Sequence, residues 1–138
     1  MIHYVDSLEG IQASHLQGFF VDWPNPPSPE MHRHLLARST HIVLAVDDAR
    51  DRVAGFITAL TDGVLTAYIP FLEVLPAYQG QGIGQALVRQ MLERLGDLYM
   101  VDLLCDPELE SFYARFGMQP GFAMLIRNYD RQAGTMTV

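Results

Sequence analysis

Phe71-Leu72-Glu73-Val74-Leu75-Pro76-Ala77-Tyr78-Gln79-Gly80-Gln81-Gly82-Ile83-Gly84 decides the fold. In order it reads as a strand, a proline-marked exit, a glycine-rich loop and the start of a helix. Such a loop leaves no side chains in the way, so backbone N–H groups can converge on an anion. The following helix adds its unpaired amino-terminal amides and the positive end of its dipole. The stretch therefore predicts a phosphate-holding loop.

Working outward, the helix after the loop repeats Ile83, Leu87, Met91 and Leu95 every fourth residue and stops at Gly96. That is one apolar stripe facing a sheet. Residues 99–104 form a strand, which a helical crossover makes parallel to the strand before the loop. Asp106-Pro107 caps a helix with Leu109, Phe112, Tyr113 and Phe116 on one face, ended by Gly117. Residues 123–127 read as a last strand and the tail from Tyr129 as a loose polar end. Upstream, residues 2–5 and 41–46 are strands, and Asp6 or Ser7 starts a helix to about Phe20. Ser28-Pro29 starts another to about Arg38. Residues 53–60 and 64–74 form a hairpin about Asp62-Gly63, with Gly55 tolerated and a bulge expected at Pro70 and Phe71. The expected fold is α/β of the α+β type, one domain over residues 1–138. It has a mostly antiparallel sheet of about six strands and about four helices.

Composition narrows the function. The 138 residues are 49% hydrophobic and 18% charged, which suits one core rather than disorder. The net charge is −7 and every one of the nine basic residues is Arg. An acidic chain without a basic run argues against nucleic acid and anionic membranes as partners. Cys105 stands alone, so no internal disulfide forms. The first residues lack a basic start and a long apolar run, and the expectation is a cytoplasmic protein.

The loop type follows by elimination. The Walker pattern needs a lysine, and the chain has none. The dinucleotide fingerprint fails from either glycine, since Gln85 or Leu87 falls at its last position. What remains is Gln79-x-x-Gly82-x-Gly84. With Val74-Leu75-Pro76 before it and Phe112-Tyr113-Ala114-Arg115-Phe116-Gly117 downstream, the chain resembles the GCN5-related N-acetyltransferase superfamily. The resemblance is strong over about residues 53–118. It departs at Asp106, often Asn in that family, and at Met118, commonly Phe.

The resemblance implies two splayed central parallel strands, residues 71–74 and 101–104, with acetyl-coenzyme A in the gap between them. It implies that the backbone of Glu73 and Val74 pairs with the pantetheine arm and that Leu72 or Val74 offers an N–H to the oxyanion. The pyrophosphate would rest on Gln79, Gly80, Gln81, Gly82, Ile83 and Gly84, with the Gln79 side chain folded over it. Tyr113 is implied as the acid that protonates the departing thiolate; periodicity alone makes it a buried aromatic. Glu73 is the candidate base for the amine; it either aims into the acceptor cleft or is a solvated edge charge. His32 and His34 are alternative bases. Asp62 and Asp106 have turn and capping roles and no metal role, Cys105 reads as a small core residue, and Arg115 either reaches a phosphate or is a solvated face. The expected partner is a small-molecule or peptide amine, a homodimer is left open, and the rival readings are a coenzyme A sensor or an interaction module of the same fold.

Overall fold

The computed structural model describes residues 1–136; residues 137–138 of the tail lie outside the described residues. Strands β1 (Ile2–Val5), β2 (His41–Asp47), β3 (Arg52–Thr61), β4 (Thr66–Ile69), β5 (Leu72–Val74) and β6 (Met100–Leu103) form one sheet. Its order is β1-β2-β3-β4-β6, with β5 also on β3. Every pairing is antiparallel except β4 with β6. Among the described residues three α-helices accompany it, against the four or so expected: α1 (Pro29–Arg38), α2 (Ile83–Leu95) and α3 (Glu110–Ala114).

Residues 53–59 of β3 are buried without interruption, so both of its faces are covered. Helix α2 lies against β2, β3 and β5, and the short 3-10 turn Ala13–Leu16 also meets β3. The α2 stripe is the expected one: Ile83, Leu87, Met91 and Leu95 are buried together with Val88. Ser28 caps α1 by accepting from the Met31 N–H at 3.0 Å, with Pro29 in the first turn. Asp62 shapes the hairpin by accepting from the N–H groups of Val64, Leu65 and Thr66.

The interruption at Pro70 is the event that positions the site. Between Ile57↔Leu72 and Leu60↔Tyr68, two residues of β3 face three on the returning chain, which is a one-residue bulge. Alternation along a strand then changes phase. On β4 the Thr66 carbonyl faces β3, accepting from Asp62, while the Leu65 carbonyl faces β6, accepting from Met100. On β5 the Phe71 carbonyl and the Leu75 N–H face β3, bonding to Thr58 and Ala54. Leu72 and Val74 consequently turn their main-chain groups away from β3, into the space beyond. Pro70 has no N–H to offer a neighbour. The parallel ladder of β4 and β6 runs to Ile69↔Leu103 and β5 is not paired with β6, so the sheet splits there.

Several expectations are corrected. Residues 7–20 form no α-helix, only the Ala13–Leu16 turn. Gly10 and Gly18 take left-handed φ values of 77° and 91°, as do Phe20 at 62° and Asp22 at 67°, and these break helical propagation. Residues 123–127 form no strand and are exposed. The tail is not loose throughout: Asn25 donates from its N–H to Gln132 Oε1 and from Nδ2 to the Tyr129 carbonyl. Cys105 is exposed rather than a core residue, because β6 is an outer strand that the chain leaves at Leu103. Asp106 makes no side-chain cap, and a 3-10 turn, Pro107–Leu109, precedes α3. Gly55 is more than tolerated: a Cβ there would lie 3.1 Å from the Glu73 carbonyl oxygen and 3.3 Å from Leu87 and Val74 side chains.

Candidate active site

The glycine loop begins at the 3-10 turn Pro76–Tyr78, and a buried hydrogen bond anchors it. Tyr78 donates its hydroxyl to Asp47 Oδ2 at 2.5 Å, and Asp47 also accepts from the Ala49 N–H and from Arg50. The Tyr78 bond, with help from Arg50, holds the Asp47 carboxyl below its ordinary range. Sequence reasoning missed this pair, since residues 31 apart carry no local signal.

Gly80 and Gly82 have φ values of 81° and 83°, and an added Cβ would meet open space at either. Backbone conformation, not crowding, requires glycine there. Gly82 opens α2 without any side-chain cap, and the first helical bond is Ala86 N–H to the Gly82 carbonyl. Among the described residues, the N–H groups of Gly80 through Gln85 meet no backbone or side-chain acceptor. Six successive unpaired amides beside a helix terminus are the kind of donor set an anion can use. Arg115 stands next to them: its guanidinium lies 5.1 Å from the Phe112 ring centre, and Nη1 donates to Gln85 Oε1 at 3.2 Å. Arg115 is exposed, and the bond to Gln85 tethers its positive side chain to the first turn of α2.

Val74, Gly84 and Phe112 meet at one point, since a Cβ on Gly84 would lie 3.7 Å from both neighbours. The end of β5, the start of α2 and α3 are thus gathered at the split in the sheet. Gln79 folds back on this junction and donates from Nε2 to the Val74 carbonyl at 3.0 Å. Glu73, by contrast, turns its main chain into β3, so the expected backbone pairing with a guest strand falls to Leu72 and Val74 alone.

Tyr113 is buried on α3, its ring edge-on to Phe112 at 4.9 Å. Burial, and secondarily the Cys105 thiol, pushes the phenol up to about 12. It therefore stays protonated throughout the physiological range.

Glu73 is neither a solvated edge charge nor free of the fold. Oε1 accepts from the Phe20 N–H at 2.8 Å and Oε2 from the Val21 N–H at 3.2 Å. Burial raises its pKa, and these two bonds oppose the shift. The carboxylate holds down the loop in which Phe20 and Asp22 are left-handed. Phe20, whose N–H meets that carboxylate, packs with Trp23 and Phe71, the Phe20–Trp23 ring centres 4.7 Å apart and Trp23–Phe71 6.2 Å.

His32 is fully buried among Phe19, Phe20 and Phe56, and neither ring nitrogen has a partner among the described residues. Burial lowers its pKa to about 4, so it is neutral near pH 7 and a weak base. A small cavity of about 80 Å³ lies beside it, lined in part by Leu16, Gly18, Phe20 and Pro29. His34 is half-buried one position beyond the next residue of α1. Among the described residues, no three His, Cys, Asp or Glu side chains converge as a metal site, and no helix is long and apolar enough to cross a membrane.

Fold and site together define an α/β protein with a split sheet and a run of unpaired loop amides at the mouth of the split. The model of the Acetyltransferase (GNAT) family matches residues 8–118, and the chain belongs to that family. It is similar to the uncharacterized N-acetyltransferase ycf52 of Pyropia yezoensis, 27% identical over 101 residues, covering 70% of this chain and 58% of that protein. It is also similar to the histone acetyltransferase TAP1 of Glycine max, 28% identical over 111 residues, covering 72% of this chain and 47% of that one. The chain thus matches about half the length of these relatives. Among solved structures, a protein from Deinococcus radiodurans R1 assigned as an acetyltransferase is 46% identical with a TM-score of 0.95, covering 99% of this chain and 94% of that one. A GNAT family protein from Streptococcus pneumoniae TIGR4 is 30% identical with a TM-score of 0.69, covering 93% and 100%.

Proposed function

We propose that the protein transfers the acetyl group of acetyl-coenzyme A to a primary amine by direct attack in a ternary complex. The observation that carries this reading is the split after Ile69↔Leu103, with the main-chain groups of Leu72 and Val74 facing into it and the amides of residues 80–85 at its mouth. The pantetheine arm lies in the split as a short guest strand. Gln79 releases the Val74 carbonyl as the arm pairs there, and its side chain turns to the diphosphate. The diphosphate sits on the loop amides with Arg115 beside it. Neutral amides and one guanidinium are enough to hold a polyanion on a protein of net charge −7.

The amine nitrogen attacks the thioester carbonyl, an N–C bond forms and the carbonyl electrons move to oxygen. The N–H of Leu72 or Val74 receives that oxyanion. Collapse breaks the C–S bond, the sulfur leaves with the electron pair as thiolate, and the second proton of the attacking nitrogen is lost to solvent, which in turn protonates the thiolate. The Tyr113 phenol, held protonated, donates a hydrogen bond to that sulfur; with its pKa raised it is a better stabiliser of thiolate than a full proton donor. Glu73, its pKa raised by burial against the two backbone hydrogen bonds, takes the ammonium proton before attack. The Phe20, Trp23 and Phe71 ring cluster, on the loop that the carboxylate holds, suits a cationic amine, which an aromatic face attracts. A cytoplasmic setting accords with this chemistry.

The test is release of free thiol from acetyl-coenzyme A across a diverse amine panel, wild type against Tyr113→Phe and Trp23→Ala. Thiol release that depends on an amine supports the reading. Tight coenzyme binding with no amine-dependent release would instead favour a sensor.

A further inference from the structure

We propose that the cavity beside His32 is a subsite for an uncharged hydrogen-bonding group, a hydroxyl or a carboxamide, carried by the acceptor amine a few bonds from the nitrogen that is acetylated. The proposal deepens the amine-transfer reading and rests on it.

The imidazole has no partner within the fold. His32 and Leu36, four apart on α1, are the buried positions of that helix. His32 is 1% exposed, and neither Nδ1 nor Nε2 has a hydrogen-bond partner among the described residues. The rings of Phe19, Phe20 and Phe56 surround it, with centres 5.2, 4.9 and 4.4 Å away. A leucine would fill such a position at no polar cost. The imidazole instead loses its hydration and recovers nothing from its neighbours, which calls for a guest. Thr58 Oγ1 is buried and unpartnered as well. Thr58 is two residues beyond Phe56 on β3 and shares its face, so both orphaned groups belong to the layer between α1 and the sheet.

The cavity sets the chemistry of the guest. Its volume of about 80 Å³ is bounded in part by Gln17, Gly18, Phe20, Ser28, Pro29 and His32. That is room for roughly five waters, or for the end of a small molecule. No carboxylate or guanidinium lines it, and His32 is neutral near pH 7. An ammonium or carboxylate entering there would give up its hydration without meeting an opposite charge. A hydroxyl or an amide fits, because a neutral imidazole offers one donor and one acceptor.

Position ties the cavity to the reaction. Phe20 is one of its walls, its ring centre lies 4.7 Å from that of Trp23, and its N–H donates to Glu73 Oε1 at 2.8 Å. One residue therefore stands between the His32 cavity and the carboxylate assigned to the amine. The reacting nitrogen takes the Glu73 side of Phe20 and its polar substituent the His32 side. A plain alkylamine leaves the imidazole unpartnered, and a diamine brings in a second charge. The substrate class is amino alcohols and amino amides rather than diamines and polyamines.

The experiment measures free-thiol release from acetyl-coenzyme A with straight-chain amino alcohols and amino amides of increasing length. Each is compared with the n-alkylamine and the diamine of the same length, for wild type, His32→Phe and His32→Gln. At the best length the wild type should favour the uncharged polar substituent about tenfold in kcat/KM over both comparators. His32→Phe should erase that preference, and His32→Gln, which keeps a donor and an acceptor, should restore part of it. In parallel, the imidazole nitrogen chemical shifts of the wild type are followed by NMR during titration with the amino alcohol and with the alkylamine. The His32 nitrogens should move with the amino alcohol only. Amine-dependent release without the preference, or a preference that survives His32→Phe, overturns the proposal and leaves the transferase reading standing. If no amine releases thiol while the His32 nitrogens still move, the transferase reading fails and the subsite stands; if they do not move, both fail. Should the variants fail to fold, the wild-type shifts decide: nitrogens that stay unmoved make this a cavity for water only.

Discussion

Replacing Glu73 by Gln is usually read as removing a base, but here it also rewires a loop. The carboxylate accepts two backbone N–H groups, from Phe20 at 2.8 Å and Val21 at 3.2 Å. An amide offers one oxygen and one NH2, so one N–H keeps an acceptor and the other faces a donor. Hydrogen bonds to charged groups contribute about 1.5–3 kcal/mol, and the surface position of the Val21 bond favours the lower end, so about 1–2 kcal/mol is lost. For a chain of this size that is a fall of roughly 3–10 °C in the unfolding midpoint. Glu73→Ala removes both acceptors and should fall further. The protonation sign is separate. Burial raises the folded pKa of Glu73, so between its unfolded and folded pKa the native state holds more protons. Its own contribution to stability is therefore full below the unfolded pKa and declines as pH rises through the folded one. The assay pairs thermal unfolding with a pH–rate profile. A lowered midpoint together with loss of the acidic limb in Glu73→Gln gives the residue both roles. Unchanged midpoints for both variants would refute the claim that Glu73 holds the Phe20–Val21 loop.

Other outcomes follow from the same geometry. Gly82→Ala must place a side chain at φ 83°, costing about 1–2 kcal/mol, whereas Gly84→Ala meets ordinary contacts in a helical turn and should be neutral or gain up to about 1 kcal/mol; chemical denaturation separates the two. Gly55→Ala forces a Cβ against the Glu73 carbonyl and should cost about 1–3 kcal/mol, read by the same method. His32 has a folded pKa of about 4, so the native state binds fewer protons than the unfolded one between that value and 6.5; stability falls by about 3 kcal/mol as pH drops through this window, and His32→Phe should flatten the dependence. Tyr113→Phe removes a hydroxyl that has no hydrogen-bond partner among the described residues, so the unfolding midpoint should hold while turnover drops about 10²-fold or more.

Much of this was legible from the chain because the signals are local. The α2 stripe, the Ser28-Pro29 start, the Asp62-Gly63 turn and the break at Pro70 each lie within a few residues of their cause. The split sheet was legible through the family resemblance, and Pro70 supplies its physical reason. The failures are of two kinds. Residues 7–20 have helical spacing of apolar side chains, but Gly10 and Gly18 override it with left-handed backbone. Residues 123–127 have a strand's composition without a strand's partner in the same chain. Contacts distant in sequence were silent: Tyr78 with Asp47, Glu73 with Phe20 and Val21, and Arg115 with Gln85. The parity switch at the bulge was also invisible, and it is what turns Leu72 and Val74, rather than Glu73, toward the gap.

Calorimetric titration of coenzyme A into the wild type and into Gly82→Trp tests the account most directly. Gly82 lies in open space, so the indole meets no clash; the left-handed φ costs about 1–2 kcal/mol, which circular dichroism and the unfolding midpoint should show the fold survives while the loop amides are covered. The account predicts saturable binding to the wild type and none to the folded variant. A wild type that takes up no coenzyme A, or a variant that binds it with equal affinity, would contradict it.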